Sequence, residues 1–235
     1  MKLKSFNDRL IWYCQWIIMN KIQVFFLLLV SLIFLVSCNT SCEDKKVGDV
    51  NLLNSSNSFL PYTDGQKLKF IANDNSKIEL STKIEASQKS RLCVKFICKL
   101  FSDPFKNAKC EFFDAETKTV SFTNSNNSFI ATLGLHIDLY EGESELFYDL
   151  FSASLSTDNV IIEGQLPLEP HFTSPKFDET SLPLSNRINL KNEVILSGQK
   201  FESVYELRSN GDYMYFQKGK GLVAFIILGK VFLLN

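Results

Sequence analysis

The sequence predicts an all-β protein, an antiparallel β-sandwich or a curled barrel-like sheet, preceded by an N-terminal helical signal segment. Hydrophobic and polar residues alternate with a period close to two from residue 66 onward. Turn-forming pairs such as Asn210-Gly211 separate the alternating runs. The chain is 45% hydrophobic and 22% charged, with 21 Phe, so it has a globular composition and ample apolar area for a core.

The apolar run at residues 22–36 follows Lys21 and contains no charge, which is typical of a secretory signal. A transmembrane helix needs about 20 apolar residues, and this run is shorter. A second apolar patch at residues 10–19 precedes Lys21. Translation from Met19 would give a compact signal peptide; the alternative is an unusually long n-region. We therefore expect residues 1–37 to be a signal peptide, with Met19 as a candidate start.

The run ends at Leu35-Val36-Ser37-Cys38, which resembles the bacterial lipobox. The resemblance implies that Cys38 receives diacylglycerol, that cleavage occurs before it and that its new amino group is acylated, for example with palmitate. The expected partner is membrane lipid, and the expected location is the bacterial outer membrane, since Asn39 rather than Asp follows the cysteine. Glu43 and Asp44 are compatible with surface display, so the periplasmic and the surface face both remain open.

Residues 39–59 are rich in Asn, Ser and charge, which predicts a lipidated flexible tether over residues 38–59. A single β-rich domain is then expected over residues 60–235. The net charge of the chain is -1, so no overall positive field favours nucleic acid as a partner.

The first half of the domain reads as a series of hairpins. Residues 67–70 and 78–84 alternate on either side of the turn residues 73–76, and residues 91–100 alternate before a return at residues 110–112. The longest alternation is 129–139. Residues 144–157 fit both a helix and a strand, whereas 159–166 favour a β-branched strand. A proline-bearing loop is predicted from Pro167 to Pro183.

The C-terminal part predicts a meander of short strands, at residues 192–196, 200–207, 212–217, 222–227 and 231–234. The stretch 222–234 is too short for a membrane helix and contains Gly229 and Lys230, so two paired strands are expected there.

Three segments, 60–70, 196–207 and 218–234, resemble small envelope lipoproteins of the Bacteroidetes type whose function is unknown. The motif residues that match are Gly65, Gly198, Phe201, Val204, Tyr205, Lys218, Gly221 and Phe225. Phe201 stands where Tyr is common in that family, and Leu233 stands near a common Trp. The resemblance implies a β-rich envelope domain and no known activity.

The sequence contains few residue patterns that are typical of catalytic sites. His136 and Asp138 share one face of a strand and could bind a metal, but a solvated strand face is favoured because no third ligand is identifiable. His171 is expected in a loop. Glu141 and Glu143 could flank a sugar, although loop carboxylates are common. We therefore predict no enzyme activity, no catalytic residue, no metal site and no cofactor.

Six cysteines carry the remaining chemical information. Cys14 leaves with the signal, and Cys38 carries lipid. Alternation places Cys98 on the apolar face, across a turn from Cys110, which predicts a Cys98–Cys110 disulfide. The rival pairing, Cys93 with Cys110, requires a β-bulge that changes the face. Cys42 is expected to stay free.

Two functions follow. The first is a membrane-anchored lipoprotein with a non-catalytic β-rich domain that binds an envelope protein or glycan or has a structural role. The alternative is a carrier of a lipid or other hydrophobic ligand in an apolar pocket. A solvent-open cavity of about 300 Å³ or more favours the carrier, and a filled core favours the first function.

Overall fold

The computed structural model describes residues 43–98, 109–140, 146–171, 177–184 and 186–235. From Asp44 onward these residues belong to one compact unit, Asp44–Asn235. The predicted signal segment, residues 1–37, and the predicted lipid attachment residue Cys38 lie outside the described residues.

The prediction of an all-β domain is confirmed. Within the described residues there are twelve strands and two 3-10 helices, Ser56–Phe59 and Glu179–Ser181. The strands are β1 Lys45–Val50, β2 Lys67–Ala72, β3 Lys77–Cys98, β4 Lys109–Thr123, β5 Phe129–Leu139, β6 Phe147–Thr157, β7 Ile161–Pro170, β8 Asn189–Leu196, β9 Gln199–Ser209, β10 Asp212–Gln217, β11 Gly221–Ile227 and β12 Lys230–Leu234.

The strands form one barrel-like sheet that is nearly closed. Its order is β7-β6-β5-β4-β3-β2-β12-β11-β10-β9-β8, and β1 lies off this path, parallel to β4. The last strand, β12, pairs with β2, so it joins the C-terminal strands to the first half of the sheet. Most buried side chains form one core that is rich in phenylalanine. A second cluster lies on the C-terminal strands and contains Leu196, Phe201, Val204, Tyr215, Val223 and Ala224.

The two ends of the strand path meet in a parallel junction. Eleven strands lie on the path within the described residues, and a ring with an odd number of strands cannot alternate direction at every junction. One neighbouring pair must therefore be parallel, and here it is β7 with the segment that leads into β8. The Gln165 N–H donates to the Asn186 carbonyl over 2.8 Å, and the Ile188 N–H donates to the Gln165 carbonyl over 2.9 Å. We call this junction, Gln165 against residues 186–188, the seam.

Close packing at the seam requires a glycine at position 164. A Cβ atom on Gly164 would lie 2.4 Å from Leu207 Cδ1 and 3.0 Å from the Asn186 carbonyl oxygen. The Asn186 side chain also donates to the Glu163 carbonyl on β7 and to the Arg208 carbonyl on β9. The seam is therefore a short, tightly packed contact in place of a regular strand ladder.

The predicted flexible tether is corrected for residues 44–59. Lys45–Val50 form β1 against β4, and the segment that follows, residues 51–62, packs into the core through Leu52, Phe59 and Tyr62. We call residues 51–62 the N-terminal segment. Its apolar side chains, spaced among Asn and Ser, find buried partners, and that burial outweighs the polar composition that suggested flexibility. The domain thus begins at Asp44 and not at residue 60.

The disulfide prediction is also corrected. Cys110 pairs with Cys93, with their Cα atoms 5.7 Å apart, and not with Cys98. The register of β3 and β4 shifts between Cys93 and Lys95, which marks the β-bulge that the rival pairing requires. Cys93 lies opposite Phe112, two positions from Cys110 and so on its face, whereas Cys98 lies opposite Lys109, one position out of step.

Several turn and strand predictions can be compared directly. Asn210 and Gly211 both have positive φ, at 49° and 90°, as the expected two-residue hairpin requires. The ambiguous stretch at 144–157 contains strand β6, and residues 222–234 contain the expected pair β11 and β12. The proline-bearing loop begins later than predicted, since Pro167 and Pro170 lie in β7. Proline is tolerated there because β7 is an edge strand beside the seam.

Candidate functional site

A solvent-open pocket of about 330 Å³ lies where β7 and β8 separate beyond the seam. Its floor comes from the N-terminal segment, and its walls come from β7, β8, β9, the 3-10 helix Glu179–Ser181 and the turn between β10 and β11. The lining residues are Ser55, Ser56, Phe59, Leu166, Pro167, Leu168, Glu169, Glu179, Leu190, Tyr205 and Lys218. The pocket is thus a consequence of the parallel junction, because β7 and β8 are not joined by a ladder below it.

The apolar part of the pocket is built on Phe59. Its ring packs 5.2 Å from Phe151 of β6 and 5.1 Å from Tyr205 of β9, so it connects the two sides of the seam from within. Burial raises the pKa of the Tyr205 hydroxyl. The Lys218 ammonium lies 5.8 Å above the Phe59 ring, in a cation–π arrangement.

Charged groups of both signs surround this apolar floor. The Ser55 hydroxyl donates to Glu169 Oε2 over 2.6 Å. Glu179 and Lys218 also line the pocket, and Lys218 lies in the β10–β11 turn. Neither Glu179 nor Lys218 forms a salt bridge with another described residue, so both charges are available to a ligand.

Ser56 is the most informative residue of the pocket. It is only 2% exposed, and its Oγ is the buried side-chain oxygen or nitrogen that has no hydrogen-bond partner among the described residues. A buried hydroxyl without a partner costs about 1–3 kcal/mol, so such groups are rare in folded proteins. In a pocket wall, that unused hydroxyl indicates a position where a bound group can complete the hydrogen bond.

His171 lies just after β7, outside the strand, as the sequence predicts, and its side chain is paired. Its Nε2 lies 2.6 Å from Asp149 Oδ1, and the Asp149 side chain is fully buried. The other carboxylate oxygen of Asp149 accepts the Leu53 N–H over 2.9 Å. This pair fastens the N-terminal segment to β6 and β7, and it lies outside the lining of the pocket.

His136 and Asp138 lie on the same side of β5, as predicted, but that side is half-buried and not fully solvated. Burial lowers the pKa of His136, while the charge of Asp138 acts in the opposite direction. Asp138 accepts hydrogen bonds from the Tyr148 hydroxyl and from the Leu139 N–H. His136 and Asp138 therefore lie in a packed environment, whereas His171 pairs with Asp149.

The structure does not place the remaining predicted site residues in a site among the described residues. Glu141 and Glu143 lie outside the described residues, as does Cys42, and nothing is described of the Cys98 side chain. Among the described residues, no group of three or more His, Cys, Asp or Glu side chains is arranged to hold a metal ion. The aromatic and lysine-rich stretch 212–220 supplies buried β10 residues, Met214, Tyr215 and Phe216, and a turn.

No protein-family model, curated protein or solved structure matches the chain. Searching the described residues for a helix long and apolar enough to cross a membrane gives none.

Sequence reasoning did not identify the pocket. Its residues come from six separate parts of the chain, and their periodicity is that of ordinary strands and loops. The one local signal is the pair Pro167 and Pro170 next to a strand-like run, which indicates an edge strand and hence a gap in the sheet. No sequence signal distinguishes Ser56 from the other serines of residues 54–58.

Proposed function

We propose that this protein is a lipid-anchored protein of the bacterial outer membrane whose β domain is a non-catalytic binding module, with the pocket below the seam as its binding site. The observation that carries the binding role is the buried, unpartnered Ser56 hydroxyl in a pocket with charged walls. The lipobox resemblance at Leu35–Cys38 supports the anchored location.

The short connection between anchor and domain supports a function close to the bilayer. Asp44, where the compact unit begins, is six positions after Cys38 in the sequence. Six residues can span at most about 22 Å, so an acylated Cys38 would keep the domain near the lipid headgroups. Ligands of such a module would be met at the membrane surface and not far from it.

A carrier of a hydrophobic ligand is less well supported, although the pocket has the volume that such a carrier needs. The interior of the sheet is occupied by Leu52, Phe59 and Tyr62 of the N-terminal segment together with the strand side chains. The pocket that remains is bordered by Glu169, Glu179 and Lys218, and burying these charges against a lipid chain would be costly. A polar ligand with an apolar part is the better match.

The anchoring part of the proposal is tested with Cys38→Ala. We expect this variant to lose incorporation of labelled palmitate and either to leave the membrane fraction or to accumulate with its signal uncleaved. Cys42→Ala serves as the control, since it should be labelled as the native protein is. Equal palmitate incorporation in Cys38→Ala and in the native protein would contradict the anchor.

The binding part is tested by co-purification from native membranes followed by mass spectrometry. Leu190 lines the pocket with its side chain 56% exposed, so Leu190→Trp should obstruct the pocket without disturbing the core. Ile195→Trp is the control, because Ile195 lies on the same strand, is 63% exposed and does not line the pocket. We expect a ligand that is retained by the native protein and the control and lost from Leu190→Trp. An identical set of bound molecules in all three proteins would rule out this pocket as the site.

A further inference from the structure

We propose that the pocket below the seam binds a short peptide in its zwitterionic form, of about two residues and with apolar side chains. This inference rests on the proposed binding role of the same pocket and adds the chemical class of the ligand. Its basis is the placement of opposite charges at the two ends of one short helix, with a buried hydroxyl and an apolar floor between them.

The 3-10 helix Ser56–Phe59 orders the charges along the pocket. At its start, Ser55 donates to the Glu169 carboxylate. At its end, the Gly219 N–H donates to the Ser58 carbonyl over 2.7 Å, and Lys218 lies above the Phe59 ring. The Glu169 carboxylate and the Lys218 ammonium are therefore held at opposite ends of the helix.

The length of the helix sets the scale of the ligand. A 3-10 helix rises about 2 Å per residue, so the four steps from Ser55 to Phe59 cover roughly 8 Å. Two residues of extended peptide span at most about 7 Å between their termini. A dipeptide can thus extend along the helix with its ammonium toward Glu169 and its carboxylate toward Lys218, whereas the two charges of a single amino acid are too close together.

The middle of the pocket fits the rest of such a molecule. Ser56 lies in the helix between Ser55 and Phe59, and its unpartnered Oγ can donate to, or accept from, the peptide group of the ligand. Leu168, Leu190 and the Phe59 ring offer apolar surface for side chains. The pocket volume of about 330 Å³ lies at the lower end of the roughly 300–1,000 Å³ of small-molecule sites, which suits a ligand as small as a dipeptide.

A peptide added as a further strand of the sheet is a poorer explanation. Strand addition needs free N–H groups along the exposed edge, and Pro167 and Pro170 of β7 have none. The structure thus favours a short ligand held by its two ends over a long one held by its backbone.

The test is calorimetric titration of the intact lipidated protein in detergent with leucyl-alanine, with N-acetyl-leucyl-alanine, with leucyl-alanine amide and with methyl glucoside. We expect leucyl-alanine to bind with a dissociation constant on the order of 1 mM or lower, and both blocked peptides to bind more weakly. Lys218→Gln should weaken leucyl-alanine binding about fivefold, as expected for a solvent-accessible ion pair. It should leave the affinity for the amide unchanged, because the amide has no carboxylate.

Lys220→Gln is the matched control, since Lys220 is exposed in the same turn and does not line the pocket. It should keep the native affinity for leucyl-alanine. Equal binding of the free and blocked peptides, preferential binding of methyl glucoside, or no binding of leucyl-alanine at 10 times the expected constant would overturn the peptide assignment. In those cases a co-purifying ligand that is lost from Leu190→Trp would still support the binding module, whereas its absence would count against both proposals.

Discussion

The two sides of this sheet are closed in opposite ways. On one side, β3 and β4 form a long antiparallel ladder that is joined by the Cys93–Cys110 disulfide and flanked by β1. On the other side, β7 and the approach to β8 meet through the short parallel seam around Gln165. An eleven-strand path thus has its one parallel junction at the seam, and the pocket opens at this junction, which has the fewest hydrogen bonds.

The N-terminal part of the domain strengthens the first side further. Asp44 accepts a hydrogen bond from the Cys110 N–H over 3.1 Å and forms an ion pair with Arg91. Lys46 contacts Asp49 and Asp114, which ties β1 to β4. The first described residues therefore join the domain beside the long β3–β4 ladder.

The largest expected effect comes from removing the disulfide on the strong side. Cys93 and Cys110 are 17 residues apart, and closing a loop of this size contributes about 3 kcal/mol to the free energy of unfolding in the chain-entropy model. Replacing both cysteines with Ala should therefore lower the urea midpoint substantially, while Cys98→Ala should change it little. Non-reducing peptide maps that join Cys98 to Cys110 would contradict this pairing.

Gly164→Ala should produce the next largest effect, on the weak side. Its new methyl group would meet Leu207 Cδ1 and the Asn186 backbone oxygen, and such overpacking costs about 1–3 kcal/mol. Gly134→Ala is the matched strand control, because the near atom there is the Ser152 hydroxyl, which can rotate away. Urea unfolding of the two variants gives the comparison; an equal or smaller loss of stability at position 164 would mean that the seam is not tightly packed.

A smaller effect is expected from Asn186→Ala. Its amide donates to the Glu163 and Arg208 carbonyls on opposite sides of the seam, at 2.8 and 3.1 Å, and losing these bonds costs about 1–2 kcal/mol. Hydrogen exchange should accelerate in β7 around Gln165 and remain unchanged in β3. Asn189→Ala, which loses one bond to the nearby Arg187 carbonyl, provides the control. Uniform acceleration across the domain would argue against a local role at the seam.

The smallest effect is expected in the pH dependence of stability, and it concerns Asp44 beside the β3–β4 ladder. The hydrogen bond from Arg91 holds the pKa of the Asp44 carboxyl at about 2, below its ordinary 3.8. A lowered pKa means that the contribution of Asp44 to stability is present above about pH 4 and is lost as the pH falls through 2. The stability difference between the native protein and Asp44→Asn should therefore shrink between pH 4 and pH 2. A difference that stays constant over this interval would show that the Asp44 charge is not involved.

The sequence predicts what depends on local alternation and turn chemistry, and it fails where distant segments decide. The alternation at 129–139 and the Asn210-Gly211 turn give β5 and the β9–β10 hairpin because side-chain period and positive φ are local properties. The bulge after Cys93 is set by the pairing of β3 with β4. Alternation along β3 alone therefore predicts the wrong cysteine as the partner of Cys110. The polar composition of residues 44–59 predicts a flexible tether, whereas a few buried side chains such as Phe59 hold the segment in the domain. The pocket depends on the odd number of strands around the whole sheet, and no short segment of the sequence carries that information.

The closure of the sheet at a parallel seam is best tested by amide hydrogen exchange at two residues. The Gln165 and Ile188 N–H groups donate across the seam, to Asn186 and to Gln165 respectively. If the seam is closed, both amides should be protected to a degree comparable with those of the β9–β10 ladder. Exchange of both amides at the rate of an unprotected peptide group would show that β7 and β8 are separate edges, and would contradict both the closed sheet and the origin of its pocket.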